Sequence, residues 1–412
     1  MKNILVLVDS IDVDDSSGAK ANVALILNLK KAGFNVTVYH YSYKNVEIED
    51  LECFLINEIK WNLLYILSRS QRVFTRITGV SVHRLIENWL GFSFTYFNDV
   101  KSILKRLKGV KLEIDLVLTL SKGASFRTHY AVLKYPEFHN KWMAYVHDPY
   151  PFNCYPPPYE WIEPGHKHKE RFFREVSKKA KYSAFPSLLL KEWMGNYFSN
   201  FLNTGIVIPH QNTNFDTSKA YPLPYFDSSK FNLLHAGNLM KQRSPEGLIE
   251  GFKLFLERNP NAKKNAKLSL IGNASYHEKA LEEAQTEIAQ IFVFKTNKSF
   301  LEIQFLQHKT AVNIILEAKS EISPFLPGKF PHCVNSNKPI LLLGPVNSET
   351  KRLLGETYPY WAEIDAVDDI ANNIKKLYTL WEENKETLQL NRPDLERYVS
   401  HGFLKEILTN LK

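Results

Sequence analysis

NILVLV at 3–8, SSGAKANVALILNLKKAG at 16–33 and FNVTVYHY at 34–41 follow one another at the start of the chain. The first is a continuous apolar run closed by Asp9-Ser10, the pattern of a short strand buried on both faces. In the second, Val23, Ile26 and Leu27 fall on one helical face, with Ser17 placed to cap the start and Gly33 to close the end. The third is strand-like again. Strand, helix, strand in that order is a βαβ unit with a right-handed crossover, the seed of a parallel sheet flanked by helices.

Working outward, residues 50–110 read as helical and rich in aromatics, and sheet elements then resume with DLVLTLS (115–121), KWMAYVHD (141–148), YSAFPS (182–187) and GIVIPH (205–210). The stretch 211–230, with Asn212, Asn214, Asp216, Pro222 and Pro224, reads as an interdomain linker. Beyond it the alternation restarts with FNLLHAG (231–237), KLSLIGN (267–273), IFVFK (291–295), AVNIIL (311–316) and KPILLLG (338–344), separated by helical patterns over 245–258, 277–290 and 299–308. A length of 412 residues suits two such domains at roughly 100–200 residues each. The expectation is an α/β chain of two Rossmann-like parallel-sheet domains facing a central cleft: an N-terminal domain over 1–212, a C-terminal domain over 213–395, and a helix at 396–412 packing back on the first.

Hydrophobic residues make up 44% and charged residues 23%, which excludes a disordered or fibrous chain. The formal net charge of +8 turns attention to polyanionic partners: phosphorylated ligands, membrane head groups or nucleic acid. The basic residues form no recognisable nucleic-acid module, so no nucleic-acid partner is expected. Cys53, Cys154 and Cys333 are widely separated, against a disulfide scaffold or zinc module and in keeping with a reducing, cytoplasmic compartment. The run Ile4 to Val8 meets Asp9, Asp12, Asp14 and Asp15, unlike a signal peptide, and no apolar run approaches the roughly 18 residues of a membrane span. Peripheral contact with an anionic membrane is expected instead through two first-domain stretches: Lys101, Lys105, Arg106, Lys108 and Lys111 around Ile103, Leu104 and Leu107, and Lys167 to Lys181 around Phe172 and Phe173. The other reading of both is a solvated helix face whose apolar residues belong to the core.

In open parallel sheets ligands bind beyond the carboxyl ends of the strands, so the residues just after each strand carry the chemistry. Gly18 lets a ligand approach the start of the first helix, where free N–H groups favour negative charge; it serves equally as an ordinary turn glycine. His147, in Tyr145-Val146-His147-Asp148-Pro149, stands at a strand tip where a neutral imidazole can bond a sugar hydroxyl, or act structurally. Gly237, Asn238 and Arg243 join the first strand of the second domain to its helix, and Arg243 adds a forked cation to a positive helix end. Gly328-Lys329, within a proline-rich loop, can deliver a point charge to a diphosphate. The acidic loop of Asp12, Asp14 and Asp15, with Lys122, is a solvated turn or an acceptor contact.

In order and spacing these segments resemble the retaining GT-B glycosyltransferases of family four, the glycosyl transferases group 1. The resemblance spans the opening SSGAKANVALILNLKKAGFNVTVYHY, HDP (147–149), FPS (185–187), VIPHQN (207–212), GNLMKQRSPEGLIEGF (237–252) and SPFLPGKF running on to KPILLLG. It implies a GT-B architecture and transfer of a sugar from a nucleotide-diphosphate donor, with retention and without a metal or other cofactor, to a glycan or lipid-linked acceptor in bacterial surface-polysaccharide assembly. By position it implies that Gly18 faces the donor diphosphate, that His147 lies near the donor sugar, and that Arg243 and Lys329 hold the diphosphate, with Gly237, Asn238 and His332 lining the donor site. The family's arginine after the glycine is Asn238 here, and its paired glutamates fall on Pro324 and His332. That departure leaves a second reading: a catalytically weak protein that binds a nucleotide sugar or an anionic surface.

Overall fold

In the computed structural model β1 (Asn3–Val8) and β2 (Asn35–His40) pair in parallel, with α1 (Ser17–Lys31) between them in the chain. The structure describes residues 2–110, 112–213, 226–294, 298–384 and 388–411. The βαβ pattern thus forms as read, with one shift at the helix start: the cap is Ser16, whose Oγ accepts from the Ala19 amide at 3.1 Å.

The first unit continues with β3 (Glu52–Leu55), α2 (Leu63–Thr78), α3 (His83–Leu90), α4 (Phe94–Leu107), β4 (Leu116–Leu120), α5 (Arg127–Leu133), β5 (Trp142–Tyr145), α6 (His166–Lys179), β6 (Tyr182–Phe185), α7 (Leu188–Tyr197), α8 (Asn200–Thr204) and β7 (Gly205–Val207). Its seven strands lie in the order β3-β2-β1-β4-β5-β6-β7, all parallel. Strand β3 corrects the helical reading of 50–110. Its residues alternate between exposed and half-buried, as an edge strand's do, and give no continuous apolar run.

The second unit holds β8 (Phe231–Ala236), α9 (Glu246–Arg258), β9 (Ala266–Ile271), α10 (Glu278–Glu287), β10 (Ile291–Phe294), α11 (Phe300–Lys309), β11 (Val312–Leu316), β12 (Ile322–Ser323), α12 (Phe330–Asn335), β13 (Ile340–Leu343), β14 (Asn347–Ser348), α13 (Glu349–Leu354), β15 (Trp361–Ala362), α14 (Val367–Glu383) and α15 (Pro393–Tyr398). Six strands form its main sheet in the order β10-β9-β8-β11-β13-β15, again parallel. Helix α16 (His401–Thr409) returns to the first unit, where Leu404 and Leu408 share a core with Leu25, Ile26 and Leu29 of α1. The first unit comprises Met1–Tyr155, Glu160–Gln211 and Ser400–Lys412; the second, Pro156–Tyr159 and Asn212–Val399. Of the expected linker, residues 214–225 lie outside the described residues, as does Lys111.

Each sheet has a point where strand order reverses, between β1 and β4 and between β8 and β11, and in open parallel sheets such a switch point is where a ligand crevice forms beyond the carboxyl ends. The two basic stretches expected to meet a membrane lack the apolar face for it. Ile103, Leu107, Phe172 and Phe173 are all buried in the first unit's core, because each helix spends its apolar side on the sheet.

Candidate functional site

At the second unit's crevice β8 ends in Ala236 and the chain turns through Gly237 at a φ of +155°. A Cβ there would lie 3.1 Å from the Lys329 Nζ, and one on Gly272 would lie 2.4 Å from the Gly237 carbonyl oxygen, so both positions need glycine for the backbones to approach. Asn238 ties this loop to the next: its Oδ1 accepts from the Asn273 amide at 3.2 Å. Lys329 reaches in from the residue before α12 and donates to Nδ1 of His235 at 3.3 Å. Burial pushes the Lys329 amine down to about 7, and neighbouring Arg243 adds to that push. His235 is driven well below its usual value by burial and then by Lys329 and Arg243, so it is neutral and free to accept.

Arg243 lies in the turn before α9, its amide bonded to the Met240 carbonyl at 2.8 Å and its Nε buried without a hydrogen-bond partner among the described residues. It lines a pocket with Tyr159, Glu317, Ser323 and Phe325. Glu317 follows β11 and accepts from Thr350 Oγ1 at 2.6 Å; burial raises its carboxyl to about 7, against the opposing pull of Thr350, Ser323 and Arg243. Gly344 makes room for it, since a Cβ there would come within 3.0 Å of Oε2. Two cations thus crowd a buried crevice where one has its charge suppressed. Such a place gains most from an incoming polyanion. His332 sits further along α12, its Nδ1 3.2 Å from Gln304 Nε2, which also donates to Thr213.

In the first unit Gly18 falls in the first turn of α1, and a Cβ on it would make only ordinary contact, 3.5 Å from the Gly123 amide across the β1/β4 crevice. His147 is buried beyond β5, its ring parallel to His210 at 6.0 Å and 4.4 Å from Tyr145. Burial, with His210 and His129 beside it, holds it well below its usual value, and its Nε2 lies buried without a partner among the described residues. A neutral imidazole with one unsatisfied nitrogen is poised for a ligand hydroxyl. The acidic loop is largely neutralised from within: Asp12 pairs with Lys44 at 2.6 Å, which lowers its pKa, and Asp15 with Lys122 at 2.5 Å, while Asp14 stays exposed.

Several residues at these crevices went unread in the sequence. Asp9, at the end of β1, is buried, accepts from the Lys122 amide at 3.0 Å and from the Ser125 hydroxyl, and has its pKa raised by burial. Arg127 pairs with Asp99 at 2.8 Å, and Tyr41 and Tyr43 donate to the same carboxylate. The positions of Asp9 and Glu317 directly after strands were the available signal; His235 and Asp99 carry none, since their burial depends on distant neighbours. Among the described residues no group of three His, Cys, Asp or Glu side chains is placed to hold a metal ion.

No protein-family model matches the chain, and no curated protein does. Solved structures do. A glycosyltransferase from Rickettsia africae is 16% identical with a TM-score of 0.59, covering 100% of both chains. A UDP-forming α,α-trehalose-phosphate synthase from Burkholderia xenovorans, in complex with glucose-6-phosphate, is 9% identical with a TM-score of 0.64 over 99% of each chain. A trehalose-6-phosphate protein from E. coli, bound with UDP-2-fluoro glucose, is 11% identical with a TM-score of 0.61 over 99% of this chain and 98% of that one. At these identities the likeness is one of fold, and the fold is GT-B: two parallel-sheet α/β units, as in the trehalose-6-phosphate synthases.

Proposed function

We propose that this chain is a glycosyltransferase that uses a nucleotide-diphosphate sugar and transfers with retention. The observation that carries the reading is the crevice of Gly237, Arg243 and Lys329 beyond β8. A lysine pushed down to about 7 by burial beside a second cation costs the ligand-free protein stability, and a diphosphate repays it. The fold neighbours support the donor class, one of them holding UDP-2-fluoro glucose.

Arg243 and Lys329 stabilise the charge gathering on the departing nucleoside diphosphate as the glycosyl carbon gains oxocarbenium character. His147 offers Nε2 to a hydroxyl of the donor sugar, and the acceptor hydroxyl attacks on the face that the leaving group vacates. Leaving-group charge is met by protein cations, so the reaction needs no metal. For the acceptor we take a glycan or lipid-linked sugar of the surface-polysaccharide kind, on the resemblance of the ordered motifs; a sugar phosphate, as held by the Burkholderia neighbour, is the other class to assay.

The test is incubation with a panel of radiolabelled nucleotide sugars, with release of nucleoside diphosphate and transfer to added acceptors both measured, with and without EDTA. Turnover of one donor, indifferent to EDTA, is expected, with the α-linked donor giving an α-linked product. Donor binding without turnover would make the chain a binding protein of this fold, and EDTA-sensitive turnover would overturn the metal-free mechanism.

A further inference from the structure

Helix α2 spends little of its surface on the fold. Of its sixteen residues the buried one is Ser68, while Leu64, Leu67, Gln71 and Thr75 on the inward side are half-buried. Leu63, Ile66, Val73, Phe74 and Ile77 are all exposed, Ile77 to 77%. At about 100° per residue these five project within roughly a third of the helix circumference, as one stripe. Arg69, Arg72 and Arg76 fall on the adjoining strip. The same character continues on either side, with Trp61 exposed to 85% just before α2 and Trp89 to 78% on α3.

Charge decides what such a stripe meets. Residues 59–86 contain Lys60, Arg69, Arg72, Arg76 and Arg84 and no Asp or Glu. Glu58, just before that stretch, is taken up by Arg69 at 3.1 Å, so a two-fold contact between copies of this chain would bring Arg72 and Arg76 together against their own like charge. An apolar stripe bordered by arginines and flanked by exposed tryptophans has the build of a helix lying in a bilayer interface: the apolar face enters the acyl boundary, the indoles sit at head-group depth, and the cations meet lipid phosphates.

We propose that α2 and α3 form a membrane-binding surface for an anionic phospholipid leaflet. The proposal uses none of the residues placed at either crevice, so it stands whatever the donor or acceptor proves to be. It also replaces the two basic stretches at 101–111 and 167–181, whose apolar residues are core.

The full chain is co-sedimented with vesicles of phosphatidylcholine alone and of phosphatidylcholine with phosphatidylglycerol, at low and high salt. Binding about tenfold stronger to the anionic vesicles, weakened by salt, is expected. Phe74→Ser with Ile77→Ser, and separately Arg72→Glu with Arg76→Glu, should each lower that binding about tenfold or more while the melting temperature stays put, because all four side chains are exposed. Trp fluorescence should shift to the blue on anionic vesicles, and less so in Trp89→Phe. Absence of binding, or binding that both double variants retain, overturns the proposal. So does a dimer in sedimentation velocity that Ile77→Ser breaks, which would give the face to a second copy of the chain.

Discussion

Lys329 lies 3.3 Å from a neutral His235, and burial brings its amine down to about 7. A diphosphate arriving beside it favours the ammonium, so at pH 8 binding of a nucleoside diphosphate should take up a proton. Calorimetry in two buffers of different ionisation enthalpy reads this directly: the apparent heat should differ between buffers for the wild type and coincide for Lys329→Ala. Loss of either cation should also weaken the nucleoside diphosphate by about 1.5–3 kcal/mol, the worth of a charged hydrogen bond. Arg243→Lys should recover only part of this, since an ammonium cannot reproduce the guanidinium fork. His147 tests the sugar end. His147→Asn keeps a polar side chain in the same buried place but moves the nitrogen, so turnover should fall at least tenfold while nucleotide affinity changes little. A normal kcat per folded molecule would return His147 to a packing role against Tyr145 and His210.

At the scale of elements, the two crevices are made by turns rather than by strands. Gly18 shows what the first turn of α1 contributes. Its Cβ position meets the Gly123 amide at 3.5 Å, an ordinary contact, and its backbone is helical, so the fold itself does not demand glycine there. Gly18→Ala should therefore melt at or slightly above the wild-type temperature, as alanine is the better helix former by about 1 kcal/mol. If the helix start faces a ligand, the added methyl occupies its approach and donor turnover should fall; unchanged turnover would leave Gly18 as a plain turn glycine. Gly237 is the opposite case, with a positive φ and the Lys329 amine 3.1 Å from where a Cβ would stand. Helix α2 makes a third point about elements. Its apolar periodicity in the sequence matches that of core helices such as α4, yet most of α4's apolar side chains are buried while α2's stripe is open.

For the molecule as a whole the crevice of the second unit sets a pH signature. Glu317 is raised from 4.5 to about 7 in the folded state, so between those values the folded chain holds a proton that the unfolded chain has lost. Stability from this group is present below about 4.5 and is lost as pH rises through 7. Lys329 works in the other direction: lowered from 10.5 to about 7, it leaves the unfolded chain holding the extra proton across that window, so its contribution rises with pH from 7 to 10.5. The two slopes meet near neutrality, where the empty site is most costly. Glu317→Gln, which keeps an acceptor for Thr350, should remove the first slope and be the more stable protein at pH 8 by about 3 kcal/mol, with no gain at pH 4.5. Urea unfolding of wild type and variant at the two pH values measures this; equal differences at both would show that Glu317 is ionised throughout.

Short, largely apolar runs closed by polar, Gly or Pro residues placed eleven of the thirteen strands of the two main sheets, because strands covered by helices on both sides favour apolar residue types. Alternation with helices then implied parallel pairing and pointed to the loops after the strands, where Arg243, Lys329, Gly237 and His147 lie. Edge strands β3 and β15 escaped because an edge needs no such run. Only the tertiary structure showed that Lys329 faces a neutral histidine, that Glu317 and Asp9 are buried, that lysines pair with Asp12 and Asp15, and that α2 is left uncovered while the basic helices α4 and α6 turn their apolar residues inward. Each of these is set by which distant segments pack around a side chain, and desolvation is a property of that packing rather than of the residue.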